Sequence, residues 1–324
     1  MPFTKAALAR HWDRLSLSGI GEWRGAWTRY QMADGRLQAS PAFSAVCALT
    51  TGVCTTSEEP SAIEQTNTYY EEGANVAPRV VTMPVLTADS FGELPLKKNS
   101  LIVLPDDAAL VWSTLDFAAP PPPPVAAGAA APPRIAAVEL VCRFRSNRAR
   151  VVLLYFGDGG VATDGATTWR LQKLTSIRDS CQAGPYDAPS FPTSEHPSFW
   201  AGQPASSEGW IWEVKEVGVA AAAGGWASEL PETKTSGSLD GTLADQLDAA
   251  GARTDLPEPD LLVHAPDALR FGGENGARGE TEISLTWSAE KDVCLRASVV
   301  IDAQGRLSAA RSSYWRHLHW HAAK

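Results

Sequence analysis

The strongest fold signal is the segment Gly21-Glu22-Trp23-Arg24-Gly25-Ala26-Trp27-Thr28-Arg29-Tyr30, which places two Gly-x-Trp triplets in one strand-like run. Successive side chains of an extended chain point to opposite faces, so Trp23, Trp27 and Arg29 share one face. Such a face is typical of a strand that begins a β-barrel, where aromatic rings close the barrel floor and a guanidinium group stacks on an indole ring. The alternative is an ordinary strand with two core tryptophans. The predicted structural barrel floor consists of Trp23, Trp27, Arg29 and Arg178.

The composition of the 324-residue chain excludes several broad classes of protein. A net charge of −9 disfavours general attraction to nucleic acid or to anionic membranes. Since no apolar run approaches the about 18 residues of a membrane helix, we expect a soluble chain with no transmembrane segment. The five cysteines are scattered and form no C-x-x-C pair, so we expect free thiols, with a Cys47–Cys54 bridge as the alternative.

Short strand patterns dominate the chain beyond its first residues. Apolar residues at helical spacing in residues 4–15 predict a short amphipathic helix before the first strand. Strand patterns separated by Gly, Pro and Asp turns then recur as far as Phe117, and long helical periodicity is missing. These features predict an all-β fold with a short N-terminal helix.

A repeat within the chain suggests its domain organisation. Residues 138–160 align with residues 283–305 without a gap (283 − 138 = 305 − 160 = 145), and with one extra residue Trp169-Arg170 falls on Trp315-Arg316. In this alignment the Pro/Ala-rich run 118–133 corresponds to another loop between strands. We therefore interpret the run as a loop within a domain and not as an interdomain linker.

The repeat predicts two tandem antiparallel β-barrels. The first comprises residues 1–185 and includes the loop 118–133, and the second, smaller barrel comprises residues 186–324. The boundary is placed where Gly, Pro, Ser and Asp cluster, in residues 183–197.

Several of these patterns resemble a lipocalin-like family of unknown function from cyanobacteria and plastid-bearing algae. The similarity is carried by His11-Trp12, the segment 21–30, Asp34-Gly35, residues 138–150, Tyr155 and residues 174–179. The resemblance implies two tandem lipocalin-like barrels, like those of carotenoid hydratases, and a more distant similarity to phycobilin lyases. It also implies a plastid location, in the chloroplast stroma, and a plastid protein partner. Without the resemblance, the cytoplasm is the expected location.

The candidate ligand-binding residues are Tyr30, Tyr69, Arg143, Arg145 and Tyr155. Arg143 and Arg145 precede a hairpin turn, and two guanidinium groups at a barrel mouth can hold an anionic head group bidentately. A solvated outer face is the alternative for this pair. The tyrosines offer hydroxyl groups to a pocket, although barrel-lining or surface roles are open for each of them.

Other chemistry has weaker support in the sequence. Glu64 or Glu139 can exchange a proton with a ligand if the carboxyl group is buried. His317, His319 and His321 share one face of a strand, a geometry that suits Zn²⁺ or Ni²⁺, but they lie close to the last residue and we interpret them as a tail. We expect neither a metal nor another cofactor.

Three functions remain open at this point. The first is binding of a hydrophobic or amphipathic small molecule, with a pigment, tetrapyrrole, carotenoid or lipid implied by the resemblance. The second is a cofactor-free isomerase, hydratase or chromophore lyase that acts on such a ligand. The third is an assembly or interaction factor for a plastid complex. Phosphate loops, Rossmann fingerprints and nucleophile elbows are absent from the sequence, which removes most nucleotide-dependent and hydrolase classes.

Overall fold

A computed structural model describes the strands of the chain and the turns between some of them. The described residues are 9, 12, 13, 15, 22–39, 46–54, 62–71, 79–82, 86–87, 100–103, 109–114, 134–157, 166–181, 211–222, 225–238, 260–272, 280–290 and 293–318.

The described part of the chain is almost entirely β-strand, which confirms the predicted all-β class. Its strands are β1 (Glu22–Ala33), β2 (Arg36–Ala39), β3 (Val46–Cys54), β4 (Ala62–Glu71), β5 (Arg79–Thr82), β6 (Leu86–Thr87), β7 (Ser100–Val103), β8 (Ala109–Thr114), β9 (Arg134–Phe144), β10 (Asn147–Gly157), β11 (Thr167–Cys181), β12 (Ile211–Ala222), β13 (Gly225–Ser238), β14 (Leu261–His264), β15 (Ala268–Phe271), β16 (Thr281–Glu290), β17 (Val293–Ile301) and β18 (Leu307–Leu318).

The strands form two antiparallel sheets with corresponding strand orders. The main path of the first sheet is β5-β4-β3-β1-β11-β10-β9-β8-β7, and that of the second is β13-β12-β18-β17-β16-β14. In the first sheet, β1 lies between β3 and β11; in the second, β12 lies between β13 and β18. In each sheet, the first strand in sequence therefore lies beside the main path's last strand in sequence.

One hydrophobic cluster joins the two sheets. Leu140 and Leu153 of the first sheet belong to the same buried cluster as Leu285 and Val299 of the second. The short strand β15, which comes from the second half of the chain, pairs with β11 of the first sheet. Because burial of apolar surface is the main stabilising contribution to folding, this shared core couples the stability of the two halves. The predicted boundary at residue 185 lies outside the described residues.

The Pro/Ala-rich run 118–133 connects two strands of the same sheet. The strands on either side of it, β8 and β9, are hydrogen-bonded neighbours, with Ala109 opposite Cys142. The run itself lies outside the described residues, so only its connectivity follows from the structure.

The strand registers correct the sequence alignment of the repeat. Leu140 lies opposite Val151, and Leu285 lies opposite Ala297, so the offset is 145 on one strand and 146 on the next. A register irregularity between Ser288 and Glu290 accompanies the change. The gapless alignment was wrong here because a bulge inserts a residue without changing the fold.

The alignment of the two Trp-Arg pairs was also wrong. Trp169 lies opposite Gly157, at the end of β10, whereas Trp315 lies opposite Cys294, near the start of β17. The two tryptophans therefore occupy opposite ends of corresponding hairpins.

The structure rules out the alternative Cys47–Cys54 disulfide. Both residues lie on β3, seven positions apart, which separates their Cα atoms by about 23 Å in an extended strand. A disulfide requires Cα atoms about 4.4–6.8 Å apart.

The predicted N-terminal helix is described at four positions. Ala9, Trp12, Asp13 and Leu15 have helical backbone. Trp12 and Leu15 are buried, whereas Ala9 and Asp13 are exposed; the other residues of the predicted helix lie outside the described ranges, and it stays a prediction.

A candidate ligand-binding face on the first sheet

The opening strand separates two chemically different faces of the first sheet. Trp23 and Trp27 lie opposite Cys181 and Ile177 of β11 on one face, whereas Tyr30 lies opposite Leu174 on the other. The alternation of Trp23, Trp27 and Arg29 that the sequence predicted is thus confirmed by the register. The face of Tyr30 packs into the shared hydrophobic core.

The opposite face carries charges and aromatic rings, and we call it the ionic face. Its members by register are Trp23, Trp27, Arg29, Tyr69, Glu139, Arg143, Arg148, Arg150 and Asp179.

Gly25 allows the strand to approach its neighbour at the centre of the ionic face. It lies opposite Asp179, and a Cβ atom on Gly25 would meet the carbonyl oxygen of Arg178 at 1.8 Å. Real Cβ atoms do not come so close to backbone atoms, so a side chain at this position would force β1 and β11 apart. The Gly-x-Trp pattern therefore has a steric cause here.

Four side chains of the ionic face form an alternating network of charges. Asp179 accepts hydrogen bonds from Nε and Nη2 of Arg148, both at 2.6 Å, and from Nη1 of Arg150 at 3.4 Å. Glu139 accepts hydrogen bonds from Nε of Arg150 at 3.0 Å and from its Nη2 at 2.5 Å. The Asp179 side chain is only 3% exposed. Two buried carboxylates thus balance two buried guanidinium groups, as buried charges require.

Burial and pairing act in opposite directions on the two arginines. Burial lowers the pKa of Arg148, and the attraction of Asp179 only partly opposes it. Burial also acts to lower the pKa of Arg150, but the attractions of Glu139 and Asp179 together outweigh it and raise that pKa. Both groups stay charged at neutral pH, since the ordinary pKa of arginine is far above 7.

The guanidinium groups of this network also cover the indole rings. Arg148 lies 3.8 Å from the ring centroid of Trp23, and Arg143 lies 5.6 Å from the same centroid. Arg150 lies 5.7 Å from the ring centroid of Trp27. Trp23 is 1% exposed, so its ring is a buried structural element beneath Arg148.

Arg178 lies on the face opposite to the tryptophans, which corrects its predicted role at the floor. Its Nε and Nη2 donate to the carboxylate of Asp260 at 3.1 and 2.6 Å, in the second half of the chain. Arg29 shares the ionic face and lies opposite Thr175. The arginine stacked most closely on Trp23 is Arg148, which the sequence analysis did not assign to the floor.

Two of the five predicted ligand contacts lie on the ionic face. Tyr69 packs edge-to-face on Trp27, with ring centroids 5.1 Å apart, and the guanidinium group of Arg79 lies 4.7 Å from the Tyr69 centroid. Arg143 lies over Trp23, and its Nε donates to the carbonyl oxygen of Arg145 at 3.2 Å. Tyr69, Trp27 and Arg143 are all half-buried.

The other three predicted contacts lie elsewhere. Tyr30 and Tyr155 face the shared core, and the Tyr155 hydroxyl group donates to the carbonyl oxygen of Pro266 at 3.1 Å. Burial, and secondarily the charge of Asp267, raise the pKa of Tyr155. Arg145 lies in the hairpin turn with a φ of 56° and forms an ion pair with Glu290 of the second sheet. Arg143 and Arg145 therefore do not converge on one anion.

Metal binding has no candidate among the residues that the structure describes. The described His, Cys, Asp and Glu side chains form no group of three suited to a metal ion. His317 falls near the end of β18, and His319 and His321 lie outside the described residues. Within the described ranges, no helix has the length and apolar character needed to cross a membrane.

The molecule is an all-β protein whose first sheet carries a partly buried surface of charged and aromatic side chains. No family model matches the sequence. No curated protein matches it either.

Two solved structures show limited similarity to the chain. One is a protein of unknown function from the DUF3598 family of Nostoc punctiforme, with a TM-score of 0.46 and 12% identity over 95% of this chain and 99% of that one. The other is the tesB protein of Mycobacterium avium subsp. paratuberculosis, with a TM-score of 0.12 and 11% identity over 72% of this chain and 86% of that one. Both TM-scores are too low to establish a shared fold.

Proposed function

We propose that the protein binds a hydrophobic or amphipathic small molecule against the ionic face of the first sheet. The observation that carries the proposal is that Trp27, Tyr69 and Arg143 are half-buried side chains on one face, where Tyr69 packs on Trp27 and Arg143 lies over Trp23. Aromatic rings bind planar or apolar groups through stacking and apolar contact, and a nearby guanidinium group binds an acidic head group. This combination suits a ligand with one apolar and one anionic end.

The aromatic residues of the ionic face differ in how deeply they are buried. Trp23 is enclosed beneath Arg148, whose charge is balanced by Asp179. Trp27 and Tyr69 are less deeply buried, so part of each ring can contact a ligand. We assign Trp23 to the floor of the site and Trp27 and Tyr69 to its wall.

We further propose that the first sheet closes into a lipocalin-like barrel around this face, and that the second sheet forms the tandem counterpart. The support is the strand order, because β1 pairs with both β3 and β11, as the first strand of a closed up-and-down sheet does. A barrel would enclose the ionic face as its interior. Small barrels of this kind commonly hold one small ligand.

The resemblance to the cyanobacterial and algal lipocalin-like family suggests which ligands to test first. A pigment, a linear tetrapyrrole, a carotenoid or a lipid has the apolar surface that the rings require. A plastid location and a plastid protein partner rest on the same resemblance and remain proposals.

No specific observation favours the enzymatic alternative. Of the two carboxylates considered from sequence, Glu139 accepts two hydrogen bonds from Arg150, an arrangement that holds a charge in place. The side chain of Glu64 lies outside the described residues.

Ligand titration of the purified chain tests the proposal. Biliverdin and palmitate serve as probes, followed by absorption for the first and by calorimetry for the second. Trp27→Leu should weaken binding about tenfold, since an aromatic contact contributes about 0.5–1.5 kcal/mol beyond its area.

Met32→Leu is the matched control, because Met32 lies on the same strand and packs against the shared core. The control should bind as the unmodified protein does. Binding of neither probe, or equal loss in both variants, would refute the assignment of the ligand to the ionic face.

A further inference from the structure

The second sheet has a polar face of its own, turned away from the shared core. Ile283 and Leu285 point into the core, so the residues that alternate with them point to the other side. That side carries buried hydroxyl groups, and we call it the hydroxyl face. Its hydroxyl residues, all nearly inaccessible, are Ser284, Thr286, Ser288, Ser298 and Ser313. The same face also carries the buried apolar side chains of Leu262, Cys294 and Val300, so its hydroxyl groups lie among apolar neighbours, where polar groups need hydrogen-bond partners.

Arg296 on this face differs from the other buried arginines in how its guanidinium group is satisfied. Arg148, Arg150 and Arg178 each use Nε and Nη2 together to donate to one carboxylate. Arg296 has only an Nη2 contact, at 3.2 Å from Oε1 of Glu282. Its Nε is buried and has no hydrogen-bond partner among the described residues.

An unsatisfied buried donor is uncommon and points to a missing acceptor. Buried polar groups almost always have hydrogen-bond partners, because desolvation without compensation is unfavourable. The Nε–Nη2 edge of a guanidinium group matches the two oxygens of a carboxylate or phosphate group. One acceptor position on that edge is therefore open in Arg296.

The register places hydroxyl groups beside this edge. Ser298 lies opposite Ser284, between the Arg296–Thr286 pair and the Val300–Glu282 pair. The guanidinium group therefore reaches Glu282 across the two serines. Their hydroxyl groups can donate to an oxyanion held there.

A histidine completes the surroundings of the two serines. His264 lies opposite Ser284 on the neighbouring strand β14. Burial lowers the pKa of His264, with Glu282 acting in the opposite direction and Arg296 in the same direction. A neutral imidazole offers one donor and one acceptor to a bound molecule.

We propose that the hydroxyl face is a second ligand site, separate from the ionic face, which binds a small oxyanion at the buried Nε of Arg296. The oxyanion is a carboxylate or a phosphate group, either free or as part of a larger metabolite. Ser284 and Ser298 donate to it, and Glu282 keeps Arg296 in position through Nη2. This site does not depend on the apolar ligand proposed for the first sheet.

The direct test follows the Arg296 Nε–Hε resonance of the full chain by ¹⁵N NMR during separate titrations with inorganic phosphate and sodium acetate. A saturable shift with phosphate assigns a phosphate-bearing ligand, and one with acetate assigns a carboxylate. If neither phosphate nor acetate gives a saturable shift, the proposal is overturned. Because this titration uses the unmodified protein, it does not depend on a variant that folds.

Two variants make the test specific. Arg296→Lys keeps the charge but lacks the forked edge, so calorimetry should show at least a tenfold weaker affinity for the anion that shifts the resonance. Arg306→Lys is the control, since Arg306 is exposed in the turn after β17, and it should leave the affinity unchanged. Equal affinity in all three proteins would also contradict the proposal, because the anion would then bind elsewhere.

Discussion

The buried carboxylate of Asp179 offers the sharpest test of how the ionic face is held together. Asp179→Asn keeps the size of the side chain but replaces a carboxylate oxygen by an amide nitrogen, which faces the donors of Arg148. Breaking a buried ion pair by removing one partner costs about 3–5 kcal/mol. We expect about 3 kcal/mol, the lower end of that range, because Arg148 keeps its contact with Trp23 and Arg150 keeps Glu139.

Urea-induced unfolding, followed by circular dichroism, measures this change in the free energy of unfolding. Glu290→Gln is the control, since the ion pair of Glu290 with Arg145 is solvent-exposed, with side chains 39% and 70% accessible. Exposed pairs contribute about 0–1 kcal/mol. If Asp179→Asn were no more destabilising than Glu290→Gln, the charge network would not stabilise the folded protein.

Three further predictions test other parts of the structure. Gly25→Ala should destabilise the protein more than Gly35→Ala does, because the methyl group at position 25 would collide with backbone atoms. For Gly35→Ala, the φ of +72° predicts a loss of about 1–2 kcal/mol in the free energy of unfolding. Thermal unfolding of both variants measures the difference, and a smaller loss for Gly25→Ala would contradict the steric explanation. The unfolded chain binds a proton at His264 more readily than the folded protein, since burial lowers the folded pKa below the ordinary 6.5. Stability should therefore fall as pH drops through and below 6.5, and His264→Asn should reduce that slope in melting temperature; an unchanged slope would assign the pH dependence to other groups. Finally, a thiol reagent should modify Cys181 before Cys294. Cys181 is half-buried, whereas Cys294 is fully buried and burial raises its pKa. Mass spectrometry of the labelled peptides gives the order of modification, and the reverse order would contradict the packing.

The sequence predicted those features that depend on short-range alternation. Trp23 and Trp27 share a face because side chains of any strand alternate, and the pattern is visible within five residues. The all-β class followed from many short strand patterns without long helical periodicity.

The features that the sequence did not predict depend on registers between distant strands. Arg148 was visible as one of several arginines, but its partner Asp179 lies 31 positions away and its ring partner is Trp23. Arg178 was assigned to the floor because it lies near the end of the first predicted domain, yet Asp260, 82 positions later, binds it on the other face. No pattern within a single strand specifies such pairs. A useful signal was Gly25, which lies opposite Asp179 where the backbone of β11 leaves no room for a Cβ atom on β1.

The shared core has a consequence for how the two halves behave. Leu140 and Leu285 belong to one cluster, β15 pairs with β11, and Arg178 binds Asp260. Although the strand orders repeat, these contacts predict that the halves unfold together. An internal repeat therefore does not by itself indicate independent domains.

If the ionic face holds an apolar or amphipathic ligand, the compound should accompany the protein through purification. The absorption spectrum of the native protein is recorded, and its organic extract is then analysed by mass spectrometry. We expect one apolar or amphipathic compound in stoichiometric amount, chemically unchanged after incubation with the protein and present in a smaller amount in Trp27→Leu. Conversion of the added compound would indicate an enzyme. Ligand binding at the ionic face would be contradicted if the extract held no such compound and the protein bound no added ligand but co-purified with a protein partner.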